Sequence, residues 1–429
     1  MTMVTRRREP DVVPERRRAG LGGTAVAPLV AAVIVLLVGV VSLGYLLGST
    51  GSPATGGGGS DGGGGGNGGG GPIGPGRTPN PSVVITPPPE ERTEVRGTLL
   101  FTRTGNIWAA NGFDLRQLSD KGTDSSPAWT RDGSAIYFIE TREKRQAKVA
   151  CSRFEAGCAN RFASYTFYAP AVMRMAPDGS ARTEIKDGLF RDTESSPSGG
   201  EWFTWLLQPD VSPDGSTLAL ASDGNDGFGD VVLSTMPSDG GRVTDLKVRN
   251  SAGLGHSDPA WSPDGTRIAF TYNVRSGSVG LPRIGIYTLA DKSLQLVKGG
   301  YANPSWSPDG ALIAAERTTG RGRDIVVLDV ARSSEVVRLT NDGRSFAPIF
   351  SPDGKQIAYL HLQGLGVDLR IVTFTQEGGA ITFVEDKAIT EDGSLDASSP
   401  PAWWFPPDLI PEPTAPPATP PSAEPTTAP

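Results

Sequence analysis

The chain has 429 residues, 20% of them charged, and a formal net charge of −7 at pH 7. That length holds one large domain plus tails, and the acidic balance argues against nucleic acid as a partner. With two cysteines and two histidines, neither a metal centre nor a bound cofactor is expected.

Met1–Gly23 carries six arginines against Glu9, Asp11 and Glu15, a local charge of +3 that leaves −10 for the remainder. Thr24–Gly48 is uncharged over 25 residues, long enough to cross a hydrocarbon core at 1.5 Å per residue. The flanking arginines orient the N-terminus inward. A cleaved signal peptide is the rival reading, but its apolar core spans roughly 7–15 residues, and the longer run favours an uncleaved single-pass anchor. Everything after Gly48 is then extracellular or periplasmic. Residues 49–94 form a linker, nearly all glycine over Gly56–Gly71 and proline-rich over Pro72–Pro89, with a flexible-chain reach of roughly 35–40 Å.

Most of the chain beyond the linker is one motif repeated. DPAWSPDGTRIAF (Asp258–Phe270) returns as SPAWTRDGSAIYF (Ser126–Phe138), PDVSPDGSTLAL (Pro209–Leu220), NPSWSPDGALIAA (Asn303–Ala315) and APIFSPDGKQIAY (Ala347–Tyr359). A fragment, PPAWW (Pro400–Trp404), closes the series. The anchors Trp129, Val211, Trp261, Trp306, Phe350 and Trp403 are separated by 82, 50, 45, 44 and 53 residues. A period near 45 marks propeller blades or a similar array. In Ser-Pro-Asp-Gly, proline presets φ and glycine tolerates the exit of a type I turn. Alternating strand patterns follow, so each repeat reads as four short strands. Gly97–Ser119 lacks a first strand and the Trp403 fragment has only a first strand. Joined, they make a sixth blade and remove an exposed sheet edge. The fold expected is an all-β, six-bladed β-propeller over 95–407, closed by a C-terminal strand, with a Pro/Thr-rich tail over 408–429.

WSPDGTRIAF, WSPDGALIAA and FSPDGKQIAY resemble the TolB-type, WD40-like propeller repeat, over roughly Arg96–Pro407. The resemblance implies the fold. It leaves function open, since the family spans periplasmic TolB, propeller domains of peptidases and ectodomains of other kinds. An anchor in place of an N-terminal TolB domain sets this chain apart from a Tol–Pal component.

Cys151 and Cys158 read as one local disulfide in an exported domain. His256 adjoins Ser257 and Asp258 but no G-x-S-x-G elbow is present, so a polar residue at the channel mouth is expected. SPDG differs by one residue from a sialidase Asp-box. DGNDGFGD (Asp223–Asp230) lacks EF-hand spacing and reads as a turn.

The insertions are more informative. Thr141–Tyr168, Gly188–Gln208 and Asn273–Pro282 all fall on connections of one propeller face. They bring Tyr165, Phe167, Tyr168, Trp202, Phe203 and Trp205 to one rim, either as a binding surface or folded back over the blades. Ser126, Gln208, Asp258 and Asn303 precede each innermost strand and should ring the channel on that face. The function expected is a non-enzymatic, membrane-tethered module for a protein, peptide or envelope polysaccharide. Alternatives are a hydrolase or lyase in the funnel, and a structural or sensor ectodomain.

Overall fold

In the structure, a computed structural model, the described residues are 94–153, 161–193, 199–224, 231–248, 255–273, 281–377 and 380–409. The expected anchor, the linker up to residue 93 and the tail beyond 409 lie outside them. Among the described residues no helix is long and apolar enough to cross a membrane.

Six four-stranded antiparallel sheets make six blades. The chain begins with β1 (Val95–Arg103), β2 (Asn106–Gly112) and β3 (Asp114–Gln117). Blade 1 is β4 (Asp124–Trp129), β5 (Ile136–Ala150), β6 (Phe162–Met175) and β7 (Thr183–Asp187). A separate two-stranded ribbon follows, β8 (Leu189–Asp192) with β9 (Gly200–Phe203). Blade 2 is β10 (Leu207–Val211), β11 (Thr217–Ser222), β12 (Val232–Pro237) and β13 (Thr244–Asp245). Blade 3 is β14 (His256–Trp261), β15 (Arg267–Tyr272), β16 (Arg283–Thr288) and β17 (Leu294–Val297). Blade 4 is β18 (Tyr301–Trp306), β19 (Leu312–Thr319), β20 (Gly322–Asp329) and β21 (Ser334–Arg338). Blade 5 is β22 (Ser345–Phe350), β23 (Gln356–Gln363), β24 (Gly366–Glu377) and β25 (Ala380–Ala388).

The ring closes as the broken repeat requires. The last strand, β26 (Ala402–Trp404), pairs with β1 through Thr98–Trp404, Leu99–Trp403 and Leu100–Ala402. No backbone turn links these two strands, so side chains hold the joint. The Trp403 indole donates to the Arg96 carbonyl at 2.8 Å, and Arg96 pairs with Asp353 at 2.6 Å. Gly97 sits at φ 66°, and a Cβ there would lie 2.2 Å from the Trp404 carbonyl, so only glycine fits.

Each joint between neighbouring blades has its own apolar core. Leu100, Ile107, Ile136 and Phe138 fill the joint between blades 6 and 1. Leu206, Leu218 and Ile139 fill that of blades 1 and 2; Leu233, Ile268 and Phe270 that of blades 2 and 3. Ile284, Trp306 and Ile313 serve blades 3 and 4, Ile325, Phe350 and Tyr359 blades 4 and 5, and Phe101, Leu369 and Trp403 the closing joint. Side chains alternate off each sheet, so every strand feeds two joints.

Blade 1 corrects the sequence reading. Thr141–Tyr168 is not a loop inserted between strands: β5 and β6 simply continue, paired from Thr141–Pro170 out to Ala150–Phe162. The β8–β9 ribbon within Gly188–Gln208 lies against this hairpin. The Lys148 amide donates to Glu201 at 3.0 Å and Lys144 pairs with Glu201 at 2.7 Å. Most of Asn273–Pro282 and of Asp223–Asp230 falls outside the described residues.

Candidate functional site

The two ends of the propeller are built differently. At one end sit the SPDG turns. In blade 2 the Ser212 hydroxyl donates to Asp214 at 2.5 Å and accepts the Thr217 amide at 3.0 Å, while Asp214 accepts the Ser216 amide at 3.1 Å. Those hydrogen bonds, the Ser212 hydroxyl's first and the Ser216 amide's next, hold the Asp214 carboxyl below its ordinary value. Ser262–Asp264, Ser307–Asp309 and Ser351–Asp353 repeat the pattern at 2.6, 2.6 and 2.7 Å. Thr130 and Asp132 do the same work in blade 1, each accepting a backbone amide at 3.0 Å. The Asp-box likeness is therefore turn chemistry, consumed within each hairpin.

The opposite end carries a bulge in each of five innermost strands. Ser126, Gln208, Asp258, Asn303 and Ala347 sit at φ 50–54°, each followed by proline, and the pairing slips beside each of them. Such conformations cost on the order of 1–3 kcal/mol. Five recurrences in five blades make this a property of the scaffold. A bulge frees one amide from the ladder, and in four of the five blades the preceding blade collects it. Ser126 donates to the Ser399 hydroxyl at 2.7 Å, Asp258 to the Gln208 side chain at 2.9 Å, Asn303 to the Thr271 hydroxyl at 2.8 Å and Ala347 to Glu316 at 2.9 Å.

Between the two ends runs a channel of roughly 300 Å³, walled by the innermost strands of all six blades. Ser126, Gln208, Asp258 and Asn303 all line it, so the structure brings these four together as the repeat spacing implies. Asp258 accepts from Gln208, from Ser257 at 2.9 Å and from Thr271 at 2.7 Å. Burial, and then the Glu316 carboxylate nearby, nevertheless pushes its pKa above the ordinary value. Glu316 is paired with Arg323 at 2.9 Å. At the SPDG end the Arg131 guanidinium reaches from blade 1 to the Pro263 carbonyl of blade 3, 2.8 Å away. Beside it Trp404 donates to the Arg131 carbonyl at 3.0 Å and packs on Trp129 at 5.7 Å between centroids.

Asp210 was not singled out in the sequence. It lies on the same channel wall, accepts the Trp261 amide at 2.6 Å, and burial pushes its carboxyl up to about 6. Its departure from the repeat, PDV among PAW and PSW, is a signal that alignment of the copies exposes. Among the described residues no group of three or more His, Cys, Asp or Glu side chains could hold a metal ion.

Other predicted residues have different surroundings. His256 is 2% exposed and does not line the channel. It packs on Phe270 and Tyr272 at 4.8 and 5.3 Å, and its Nδ1 accepts the Leu233 amide at 3.0 Å. It is a core residue of the joint between blades 2 and 3, not a polar residue of the mouth. The rim aromatics fold back. Phe167, Trp202 and Phe203 are buried with Ala147, Val149 and Ala169 in a small core between the long hairpin and the ribbon, flanked by half-buried Tyr165 and Trp205. Arg153 stacks on Trp202 at 4.9 Å and pairs with Asp192 at 2.6 Å. Tyr168 alone of the six is exposed, at 45%. Cys151 opens the turn at the hairpin's end and is not a free thiol; Cys158 lies outside the described residues.

The TolB beta propeller domain family matches residues 202–392. Comparison with curated proteins finds no match. Among solved structures, TolB from Acinetobacter baumannii is 20% identical with a TM-score of 0.49, over 71% of this chain and 66% of that one. A TolB-type protein from Agrobacterium tumefaciens is 17% identical with a TM-score of 0.47, over 72% and 95%. Oligogalacturonate lyase from Vibrio parahaemolyticus is 14% identical with a TM-score of 0.38, over 65% and 78%. Identities of this order carry nothing about what this chain binds.

Proposed function

We propose, from the match of residues 202–392 to the TolB beta propeller domain family, that the chain is a membrane-tethered, extracytoplasmic binding module. It docks a protein or peptide segment on the bulge face and catalyses nothing itself. One observation carries the reading: the long β5–β6 hairpin projects on the same face that holds the polar ring of the channel. Function concentrates where a rigid scaffold departs from its repeat. The charge-free Thr24–Gly48 run and its flanking arginines supply the anchor, and the Gly/Pro linker sets the reach. A Cys151–Cys158 disulfide would fasten the hairpin tip, as suits an exported domain. Catalysis in the funnel would draw on His256 and Asp258, and of the two only Asp258 lines the channel while His256 is sealed in a blade joint, which disfavours that reading.

A photo-crosslinking amino acid placed at Tyr168 tests the docking face in living cells. Adducts to a protein are expected there and not from Ser216, an exposed position on the opposite face. Equal labelling from both positions, or adducts only from Ser216, contradicts the reading. Adducts only to polysaccharide reassign the partner to an envelope glycan.

A further inference from the structure

A repeat protein samples each position several times, and one position of the channel wall is anomalous. The residue before each innermost-strand anchor is Ala128, Asp210, Ala260, Ser305, Ile349 and Ala402. Five of the six are small or apolar. The position does make a joint contact: in blade 4 the Ser305 hydroxyl accepts the Phe350 amide of the next blade at 3.0 Å. Asp210 performs the same task for Trp261 at 2.6 Å. A neutral oxygen is therefore sufficient for the joint, and the negative charge of Asp210 is surplus to it. That surplus is costly, because a carboxylate walled in by protein loses hydration that no counter-ion among the described residues replaces.

The surroundings say what the charge can serve. From its own strand comes Gln208. From β4 and β14 come Trp129 and Trp261, both half-buried in the channel wall, and Asp258. From β19 comes Glu316, already paired with Arg323. Among the described residues the one cation on the lining, Arg131, is engaged with the Pro263 carbonyl at the SPDG end. The sector between blades 1 and 3 thus places two carboxylates on a channel wall that also carries the Trp129 and Trp261 side chains, negative charge next to apolar surface, which suits an organic cation.

We propose that the central channel is a binding site for an organic cation, a primary ammonium or guanidinium group entering from the bulge face, with Asp210 as its counter-ion. Asp258 adds negative potential above it, and Trp129 and Trp261 supply the apolar wall. The site depends on the bulge face being the binding face, and it names the chemical class that face takes. The cation is either a free amine or the side chain or amino terminus of a docked peptide.

Titration calorimetry on the full chain separates these cases, with n-butylammonium as the free amine and Gly-Lys-Gly as the peptide probe. At pH 8 at least one probe binds. Asp210→Asn, which keeps an acceptor for the Trp261 amide, weakens binding about ten- to a hundredfold. Asp210→Ser, copying blade 4, is the second variant and gives the same loss. Binding also fades below pH 6 as the carboxyl takes up its proton. Binding of n-butylammonium alone identifies a free-amine site, and binding of the peptide alone a site for a docked chain. If neither probe binds, or if both variants bind as wild type does, the cation site is overturned. Crosslinks from Tyr168 in that event would still leave the docking face standing.

Discussion

The two ends of this propeller teach different things. At the SPDG end five full blades repeat one hydrogen-bond pattern, and substitutions there should act on stability alone. At the bulge end the backbone also repeats, but the side chains do not: Ser126, Gln208, Asp258, Asn303 and Ala347 differ, blade 1 grows a hairpin, and blade 2 carries Asp210. Repetition marks what the scaffold needs, and departures mark where a ligand can be read.

The comparison breaks most readily at the closing joint. Trp403→Ala removes a buried indole and its bond to Arg96, and should cost about 3–5 kcal/mol in urea unfolding, with cooperativity lost because no turn backs β26. A cost under 1 kcal/mol would mean that the ring is not held there. Trp202→Ala should loosen the ribbon and hairpin without opening the ring. Hydrogen exchange is expected to rise over residues 144–167 and to stay unchanged over 312–328. Ser262→Ala, at the repeating end, should cost about 1 kcal/mol and leave binding of n-butylammonium untouched. Asp210→Ser should have the opposite signature. Because burial raises the folded pKa of Asp210 above its unfolded value, the wild type loses stability as pH rises from about 4 through 6. The variant is therefore more stable at pH 8, on the order of 1 kcal/mol after allowing for its partial opening to the channel, and the gain vanishes near pH 4. Tyr168→Ser, at the small end, should change stability by less than about 0.5 kcal/mol while removing crosslinked partners.

Much of the architecture was legible because it rests on turn chemistry that only certain residues perform. Ser-Pro-Asp-Gly fixes a hairpin, and the unpaired halves at Gly97 and Trp403 fix the closure. The blade 1 hairpin was missed although alternation runs through it: Ala147, Val149, Phe167 and Ala169 all turn into the small core under the ribbon. A bulge at Gln146, φ 52°, interrupts that alternation and made the stretch read as a loop. The same physics misplaced His256. It reads as a polar residue of the mouth, but the bulge at Asp258 shifts the register between it and Trp261, and one extra residue turns every side chain beyond it to the other face. Asp210 escaped notice for a different reason, since the charge matters only beside the five neutral residues at its position.

The most direct measurement is the titration of Asp210 itself, followed by carboxyl carbon NMR in the wild-type chain against Asp210→Asn. The account predicts a midpoint near 6 that falls when n-butylammonium is added. A midpoint between about 3 and 4.5, where carboxyls in folded proteins ordinarily titrate, and unmoved by the amine, would contradict it.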